Sequence, residues 1–140
     1  MTKIKVTKGK EDFKDAEYIR RAVFIDEQKF IDEFDETDNT AYHVVGYQNE
    51  LPIVCARFFC DDNNEYHIGR IAVMKEYRGL GFGSEIVKFC ENEIRKLGGK
   101  SACLSAQVRA CEFYKKSGYN PVGEIYIEEH VKHVKMEKQL

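Results

Sequence analysis

The chain has 140 residues, of which 43% are hydrophobic, and this length is enough to bury one core, so we expect a single domain over 1–140. A formal net charge of −2 with interspersed acids and bases argues against a nucleic-acid partner, and no apolar run is long enough to span a membrane. The first residues lack a signal-peptide core and the five cysteines form no C-x-x-C pair, so we expect reduced thiols and a cytoplasmic protein.

Strand-like and helix-like segments alternate along the chain, which predicts one α/β domain. Near the start, Phe13, Ala16, Ile19 and Val23 recur at the spacing of an amphipathic helix. An acidic segment at 26–39 follows, and we expect it to be irregular. The predicted strands cover 4–7, 42–48, 52–60, 66–74, 102–106, 122–128 and 133–137, and the predicted helices cover 11–24, 84–97 and 108–117.

The segment between the strand at 66–74 and the helix at 84–97 carries three glycines at alternate positions. It consists of Arg78-Gly79-Leu80-Gly81-Phe82-Gly83, and Ser84 follows it; we call 78–84 the glycine loop. Glycine lets a backbone approach an anion closely, and the next helix adds roughly half a positive elementary charge at its N-terminus. Arg78 supplies a planar cation suited to phosphate oxygens. The spacing matches neither the dinucleotide-binding nor the Walker pattern, so the loop predicts another kind of diphosphate site.

Three segments resemble the GNAT acyltransferase superfamily. The glycine loop matches its Gln/Arg-x-x-Gly-x-Gly/Ala motif through Arg78, Gly81 and Gly83. Ile71-Ala72-Val73 is similar to the family strand that precedes this motif. The third segment, Ala110-x-x-Phe113-Tyr114-x-x-x-Gly118-Tyr119, is similar to a second family signature.

The N-terminal half is similar to one small, one-domain bacterial branch of this superfamily, often called ElaA-like. The match begins with Arg20-x-x-Val23-Phe24-x-x-Glu27-Gln28 and continues through Glu33, Asp35, Asp38 and His43. The ending Glu128-x-x-x-x-His133-x-x-Met136 also resembles the branch, so the resemblance covers nearly the whole chain. Ser105 stands where family members often carry Asn.

The resemblance implies a GNAT fold with a mixed central β-sheet flanked by about four helices. It also implies that acetyl-CoA is the acyl donor, that the glycine loop holds its diphosphate and that the strand at 71–73 pairs with its pantetheine arm. The residues that we expect to contact this cofactor are Ile71, Ala72, Val73, Arg78, Gly79, Leu80, Gly81, Phe82, Gly83, Ser84, Gln107, Phe113 and Tyr114.

The expected reaction is transfer of the acetyl group to a primary amine by direct attack in a ternary complex. An alkyl ammonium with a pKa of about 10.4 must lose a proton before it attacks, so a base or a water that leads to one is needed. A backbone amide near Val73 or Met74 could stabilise the oxyanion, and Tyr114 is the candidate acid for the leaving thiolate. The candidate bases are His133, Glu128, His43 and Glu33, and we select His133 and Glu128.

The sequence leaves the acceptor open, as a small-molecule or peptide amine. The acidic run at 26–38 favours a cationic acceptor, whereas three arginines favour a carboxylate or phosphate on it. We expect no metal, because no His/Cys group has ligand spacing. The candidate acceptor-binding residues are Arg20, Phe24, Gln28, Glu33, His43, Arg57 and Arg70.

Two other functions remain open at this stage. One is a non-catalytic acyl-CoA-binding module. The other is an enzyme similar to acyl-homoserine-lactone synthases, although such chains are longer and carry tryptophans that this chain lacks. Neither possibility sets the oligomeric state, and we expect a monomer or a homodimer.

Overall fold

The computed structural model describes residues 1–140. Its strands are β1 (Lys3–Lys8), β2 (Tyr42–Gln48), β3 (Leu51–Cys60), β4 (Tyr66–Val73), β5 (Ser101–Gln107), β6 (Asn120–Glu128) and β7 (Val131–Gln139). They form one mixed sheet in the order β1-β2-β3-β4-β5-β7-β6. The helices are α1 (Lys14–Arg20, continued by π-helical turns over Arg21–Glu27), α2 (Phe82–Lys96) and α3 (Cys111–Lys116). Short 3₁₀ turns lie at Glu36–Asn39, Lys75–Tyr77 and Val108–Ala110.

Helices cover both faces of the sheet. On one face, α2 packs Ile86, Cys90 and Ile94 into a buried cluster that includes Val44 of β2. On the other face, α1 contributes Ile19 and its neighbours to a second cluster that includes the adjacent Val45. Successive residues of a strand point to opposite faces, so neighbouring valines belong to different cores. The two amphipathic helices predicted from apolar spacing are therefore confirmed.

The sheet divides between β4 and β5. These strands form its single parallel pair, and they are joined at one register position, His67 with Cys103. Both continue in the same direction beyond it, to Val73 and Gln107, so their carboxyl ends separate and a gap opens between them. The glycine loop and the start of α3 both follow these ends and therefore lie at the mouth of the gap.

A β-bulge distorts β4 beside this gap. Cys55 of β3 pairs with Ala72 and Arg57 pairs with Gly69, so one residue of β3 lies opposite both Arg70 and Ile71. Arg70 has a φ of 49°, in the left-handed region that non-glycine residues seldom adopt. Bulges of this kind redirect side chains next to functional sites, and here the bulge directs the Arg70 side chain toward acidic residues.

The predicted elements differ from the observed ones mainly at their ends. The first helix begins at Lys14 and continues to Glu27, into the segment that we expected to be irregular. Its last turns are π-helical, with the amide of Gln28 bonded to the carbonyl of Val23 at 3.1 Å. The mixed α/β sheet of one domain is as predicted, with three helices in place of about four.

Candidate active site

A cavity of about 620 Å³ occupies the gap between β4 and β5. It brings together many of the residues predicted from the sequence: Phe24, Gln28, Glu33, Arg57, Arg70, Ile71, Gln107, Tyr114, Glu128 and His133. Others in its lining were not predicted: Phe30, Asp32, Phe59, His67, Ile68, Gly69, Leu104, Ser105, Arg109, Ala110 and Glu129. The unpredicted ones come from the acidic loop, from the strands β3, β4 and β5, from the 3₁₀ turn after β5 and from the turn between β6 and β7, which only the folded chain brings together.

The glycine loop lies at the mouth of the gap, which we call the cofactor end. Its backbone has the positive φ values that its glycines predict. Gly79 and Gly81 have φ values of 76° and 87°, and a Cβ added at either would meet no atom within 4 Å. A Cβ at Gly83 would lie 3.3 Å from the Phe113 ring, so this glycine allows α2 to pack on α3. The amides of residues 82 to 84 begin α2 and have no acceptor within the protein, which leaves three donors at a helix N-terminus available to an anion.

Arg78 is bound within the protein. Its Nε donates to the Val73 carbonyl at 2.9 Å, and its two terminal nitrogens donate to the Glu27 carboxylate at 2.6 and 2.7 Å. The hydrogen bonds from Arg78 hold the pKa of Glu27 below its usual value. The end of α1 is thereby joined to the glycine loop through a residue of the branch motif. The predicted contact between Arg78 and a diphosphate stays a prediction.

Tyr114 is half-buried on α3 and lines the cavity. Its ring makes edge contacts with Phe113 and Tyr119, at centroid distances of 5.0 and 6.2 Å. Burial raises the pKa of Tyr114 to about 12, so the phenol keeps its proton at neutral pH. No protein group bonds to its hydroxyl, which is therefore available to a ligand as a donor.

His133 lies on β7, and only 6% of its surface is exposed. Its Nδ1 lies 2.9 Å from the Val131 carbonyl. Because a carbonyl can only accept, Nδ1 carries the proton, and Nε2 of the neutral ring keeps a lone pair. The Tyr126 ring stacks on the imidazole at 6.0 Å. The Nε2 of His133 thus has no protein partner and is available to a ligand, whereas its predicted role as a base stays a prediction.

Glu128 is exposed on β6 and lines the same cavity. It accepts a hydrogen bond from the Ser105 hydroxyl at 3.4 Å, and that hydroxyl also contacts the Tyr126 hydroxyl. Ser105 therefore bridges β5 and β6, at the position where family members often carry Asn.

One of the two amides considered for the oxyanion is already used. The Met74 amide donates to the Ile53 carbonyl of β3 at 2.8 Å, so it cannot face the gap. Successive amides of a strand point to opposite edges, which leaves Val73 with its amide on the open side of β4. The Val73 carbonyl that Arg78 occupies lies on this same side.

Two residues predicted to bind the acceptor lie outside the cavity lining. Arg20 is 1% exposed, and its guanidinium binds the carboxylates of Glu33 and Asp38 at 2.8 and 2.7 Å. His43 is buried on β2 with its Nε2 bonded to the Asp38 carbonyl at 3.0 Å, so Nε2 carries a proton. Burial also lowers the pKa of His43. A base or a direct acceptor contact at either residue is not supported, because neither side chain reaches the cavity.

Two contacts close the sides of the gap. The Gln107 amide at the end of β5 donates to the Gln28 side chain after α1 at 2.8 Å. The Glu129 carboxylate in the β6–β7 turn accepts from the backbone amides of Ile31 and Asp32, at 2.7 and 2.8 Å. The cavity therefore has walls from the acidic loop and the hairpin as well as from the two strands.

Asp61, Glu65 and His67 are the residues that could hold a metal ion, since their ligand atoms lie within 4.8 Å of one another. His67 bonds to Asp61 at 2.8 Å and Glu65 pairs with Lys135 at 3.0 Å, so each already has a partner. These contacts neither show nor exclude metal binding, and the expectation that the protein holds no metal stays a prediction. All five cysteines are free, and no helix is long and apolar enough to cross a membrane.

Comparisons with known proteins agree with this geometry. A family model for the acetyltransferase (GNAT) domain matches residues 10–140. The uncharacterized N-acetyltransferase YjcF of Bacillus subtilis is 35% identical, and the match covers 95% of this chain and 96% of YjcF. Escherichia coli ElaA has a TM-score of 0.87 at 27% identity over 99% of each chain. A GNAT family acetyltransferase from Elizabethkingia anophelis, solved with acetyl-CoA bound, shares the fold with a TM-score of 0.74 at 13% identity over both whole chains.

A split parallel strand pair between a glycine loop and a polar cavity is thus the framework of an acyltransferase. The chain belongs to the GNAT acetyltransferase family, whose members use acetyl-CoA. Its similarity to ElaA and YjcF confirms the resemblance noted from the sequence. Membership of a family of acyltransferases does not support the alternative of a non-catalytic acyl-CoA-binding module.

Proposed function

We propose that this enzyme transfers the acetyl group of acetyl-CoA to a primary amine by direct attack in a ternary complex. One observation carries the proposal: the gap between β4 and β5 connects three free amides of the glycine loop to a cavity that contains both Tyr114 and His133. The donor and the acceptor could then meet inside the sheet. The acetyl-CoA bound to the E. anophelis protein, which has the same fold, supports this placement of the donor.

The diphosphate of acetyl-CoA would bind the amides at 82 to 84, where the charge of the α2 dipole is positive. The pantetheine arm would then follow the open edge of β4 toward Val73. Arg78 now occupies the Val73 carbonyl, so we expect its guanidinium to leave that carbonyl and turn to the diphosphate when the cofactor binds.

In the chemical step, His133 Nε2 would take a proton from the acceptor ammonium, directly or through a water. The amine nitrogen then attacks the thioester carbon, and the Val73 amide stabilises the oxyanion. The nitrogen loses its second proton to water. As the intermediate collapses, the C–N bond is retained and the C–S bond breaks, and the sulfur leaves as a thiolate that accepts a hydrogen bond from Tyr114. Glu128 would help to hold the ammonium near His133. We also propose that the reaction occurs in the cytoplasm, where the five free thiols stay reduced.

Cofactor binding can be tested first. Acetyl-CoA and CoA should raise the stability of the protein by about 2.7 kcal/mol at 100 times the dissociation constant, whereas NAD should not change it. With an amine panel, thiol release should match the formation of N-acetyl product and should not require S-adenosylmethionine. Initial rates should give intersecting double-reciprocal lines. Parallel lines together with an acetylated protein would instead show a covalent intermediate and refute direct attack.

A further inference from the structure

We infer that the acetyl acceptor carries a second positive charge in addition to the amine that is acetylated, and that it lacks a carboxylate or phosphate. This inference rests on the proposed function, because it concerns the acceptor part of the same cavity. It is carried by the way in which the charges around the cavity are paired.

The arginines near the acceptor are neutralised within the protein. Three guanidiniums and three carboxylates form a closed network, which consists of Arg20, Arg57, Arg70, Glu33, Asp35 and Asp38. Burial raises the pKa of Glu33, and its contacts with the arginines oppose that rise. With all six groups ionised, their charges sum to zero, so the network as a whole has little attraction for a distant ion. The charges of the arginines that favoured an acidic acceptor in the sequence are therefore balanced within the protein.

The individual contacts leave little of these arginines for a ligand. Arg57 is 5% exposed, and NH1 and NH2 of its guanidinium donate to Asp35. Its Nε has no partner but is itself sealed from solvent, so an acceptor carboxylate could not reach it. Arg70 lines the cavity, where its Nε lies 3.0 Å from the Glu33 carboxylate and its NH2 lies 3.3 Å from that of Asp35. These contacts neutralise its charge, and NH1 is the one nitrogen of this guanidinium without a protein partner. A further lining arginine, Arg109, is exposed and makes no ion pair, and it lies in the 3₁₀ turn that follows β5, at the mouth of the gap.

Three carboxylates of the lining have no cationic partner. Glu129 accepts only from two backbone amides, one of them the amide of Asp32. Glu128, its neighbour in the chain, accepts from the Ser105 hydroxyl, and the carboxylate of Asp32 makes no ion pair. The three acids are therefore grouped at the β6–β7 turn, and a cleft lined by charges of one sign raises the local concentration of oppositely charged ligands, here cations.

Two further observations point to a cationic amine at this place. His133 is 6% exposed and lines the cavity, yet its Nε2 has no protein partner, as expected of a group that receives a proton from a ligand. Phe24 and Phe30 stack at 5.9 Å, and both line the cavity with Phe59. Aromatic side chains stabilise desolvated ammonium groups and also provide an apolar surface for an alkyl chain. The chemistry fits a short alkane diamine or a polyamine.

The test uses the whole protein with saturating acetyl-CoA and compares three amines of four carbon atoms each: putrescine, butylamine and 4-aminobutanoate. We expect kcat/KM for putrescine to exceed that for each of the others by at least about tenfold, since one ion pair in a partly enclosed site contributes roughly 1.4 kcal/mol or more. High salt should reduce this preference because it screens the three acids. Equal or faster turnover of butylamine or 4-aminobutanoate would overturn the inference, as would failure to acetylate any diamine or polyamine.

A matched pair of variants locates the second charge. Asp32→Asn should lower the ratio of putrescine to butylamine turnover several-fold. Glu50→Gln, which removes an exposed charge in the β2–β3 turn outside the cavity, should leave the ratio unchanged. An unchanged ratio in Asp32→Asn would overturn the inference. The acetyl-CoA melting shift, measured in parallel, separates the two proposals: if it persists, only the acceptor class is wrong, and if it is missing, both fail.

Discussion

The hydroxyl of Tyr114 is the part of the site whose role can be tested most sharply. Tyr114→Phe retains the ring, and with it the edge contacts to Phe113 and Tyr119, and removes only one oxygen that no protein group contacts. The fold and the affinity for acetyl-CoA should therefore change little. Any loss of turnover would report what the phenol does for the leaving sulfur.

The size of the expected loss follows from the phenol's acidity. Burial raises the pKa of Tyr114 to about 12, whereas an ordinary thiol has a pKa of about 8.5. Complete proton transfer from this phenol to the thiolate is thus uphill by about 5 kcal/mol. A hydrogen bond to the charged sulfur, without transfer, contributes about 1.5–3 kcal/mol. We therefore expect kcat to fall about 10- to 150-fold, below the upper part of the range for full general acids.

The assay is steady-state thiol release with a working amine, combined with calorimetric measurement of acetyl-CoA affinity. Tyr119→Phe is the matched control, because the buried Tyr119 hydroxyl donates to Glu91 at 2.8 Å and does not line the cavity. It should lower stability and leave kcat nearly unchanged. Wild-type kcat in Tyr114→Phe would refute the contact with sulfur, and a loss above about 10³-fold would show that the phenol transfers its proton fully.

Three further predictions test the loop and the ion network. Gly81→Ala and Gly98→Ala should each cost about 1–2 kcal/mol of stability in urea titrations, because both residues have positive φ and open space at Cβ, but only Gly81→Ala should weaken CoA binding by calorimetry. Asp38→Asn should lower the free energy of unfolding by about 3–5 kcal/mol, whereas Asp12→Asn in an exposed ion pair should change it little. Burial acts to raise the pKa of Asp38, but hydrogen bonds from the arginines hold this pKa well below its usual range. The stabilisation that ionised Asp38 gives the fold is therefore present above about pH 4 and is lost as the pH falls further. Glu27→Gln should tighten CoA binding up to about fivefold, because it frees the loop arginine; weaker binding would mean that this carboxylate positions the arginine.

The parts of the fold set by local patterns could be predicted from the sequence. Apolar spacing placed α1 and α2, and glycines with positive φ marked the loop at Gly79 and Gly81. The loop and the signature around Tyr114 carried the family resemblance that the comparisons confirm. These features depend on residues that are neighbours along the chain, so a single sequence contains their signal.

The pairing of charges could not be predicted, because it depends on contacts between distant segments. Arg20 and Arg57 reach Asp38 across 18 and 19 positions, and nothing local to either arginine identifies that partner. For the same reason His43, one of the four candidate bases, proved to be a buried group bonded to a backbone carbonyl. The bulge that gives Arg70 its φ of 49° also has no local signal, since it arises from the register between β3 and β4.

The branch motif at the end of α1 explains how the two ends of the cavity are joined. Its Glu27 binds Arg78 of the glycine loop, and the next residue, Gln28, binds Gln107 at the end of β5. At the end of the π-helical turns, two consecutive side chains therefore contact the loop that follows β4 and the end of β5, on the two sides of the split. A cofactor that draws Arg78 toward its diphosphate would release Glu27 and loosen the end of α1, which also bears Phe24 of the acceptor cavity. Cofactor binding and acceptor binding are therefore expected to be coupled through this one segment.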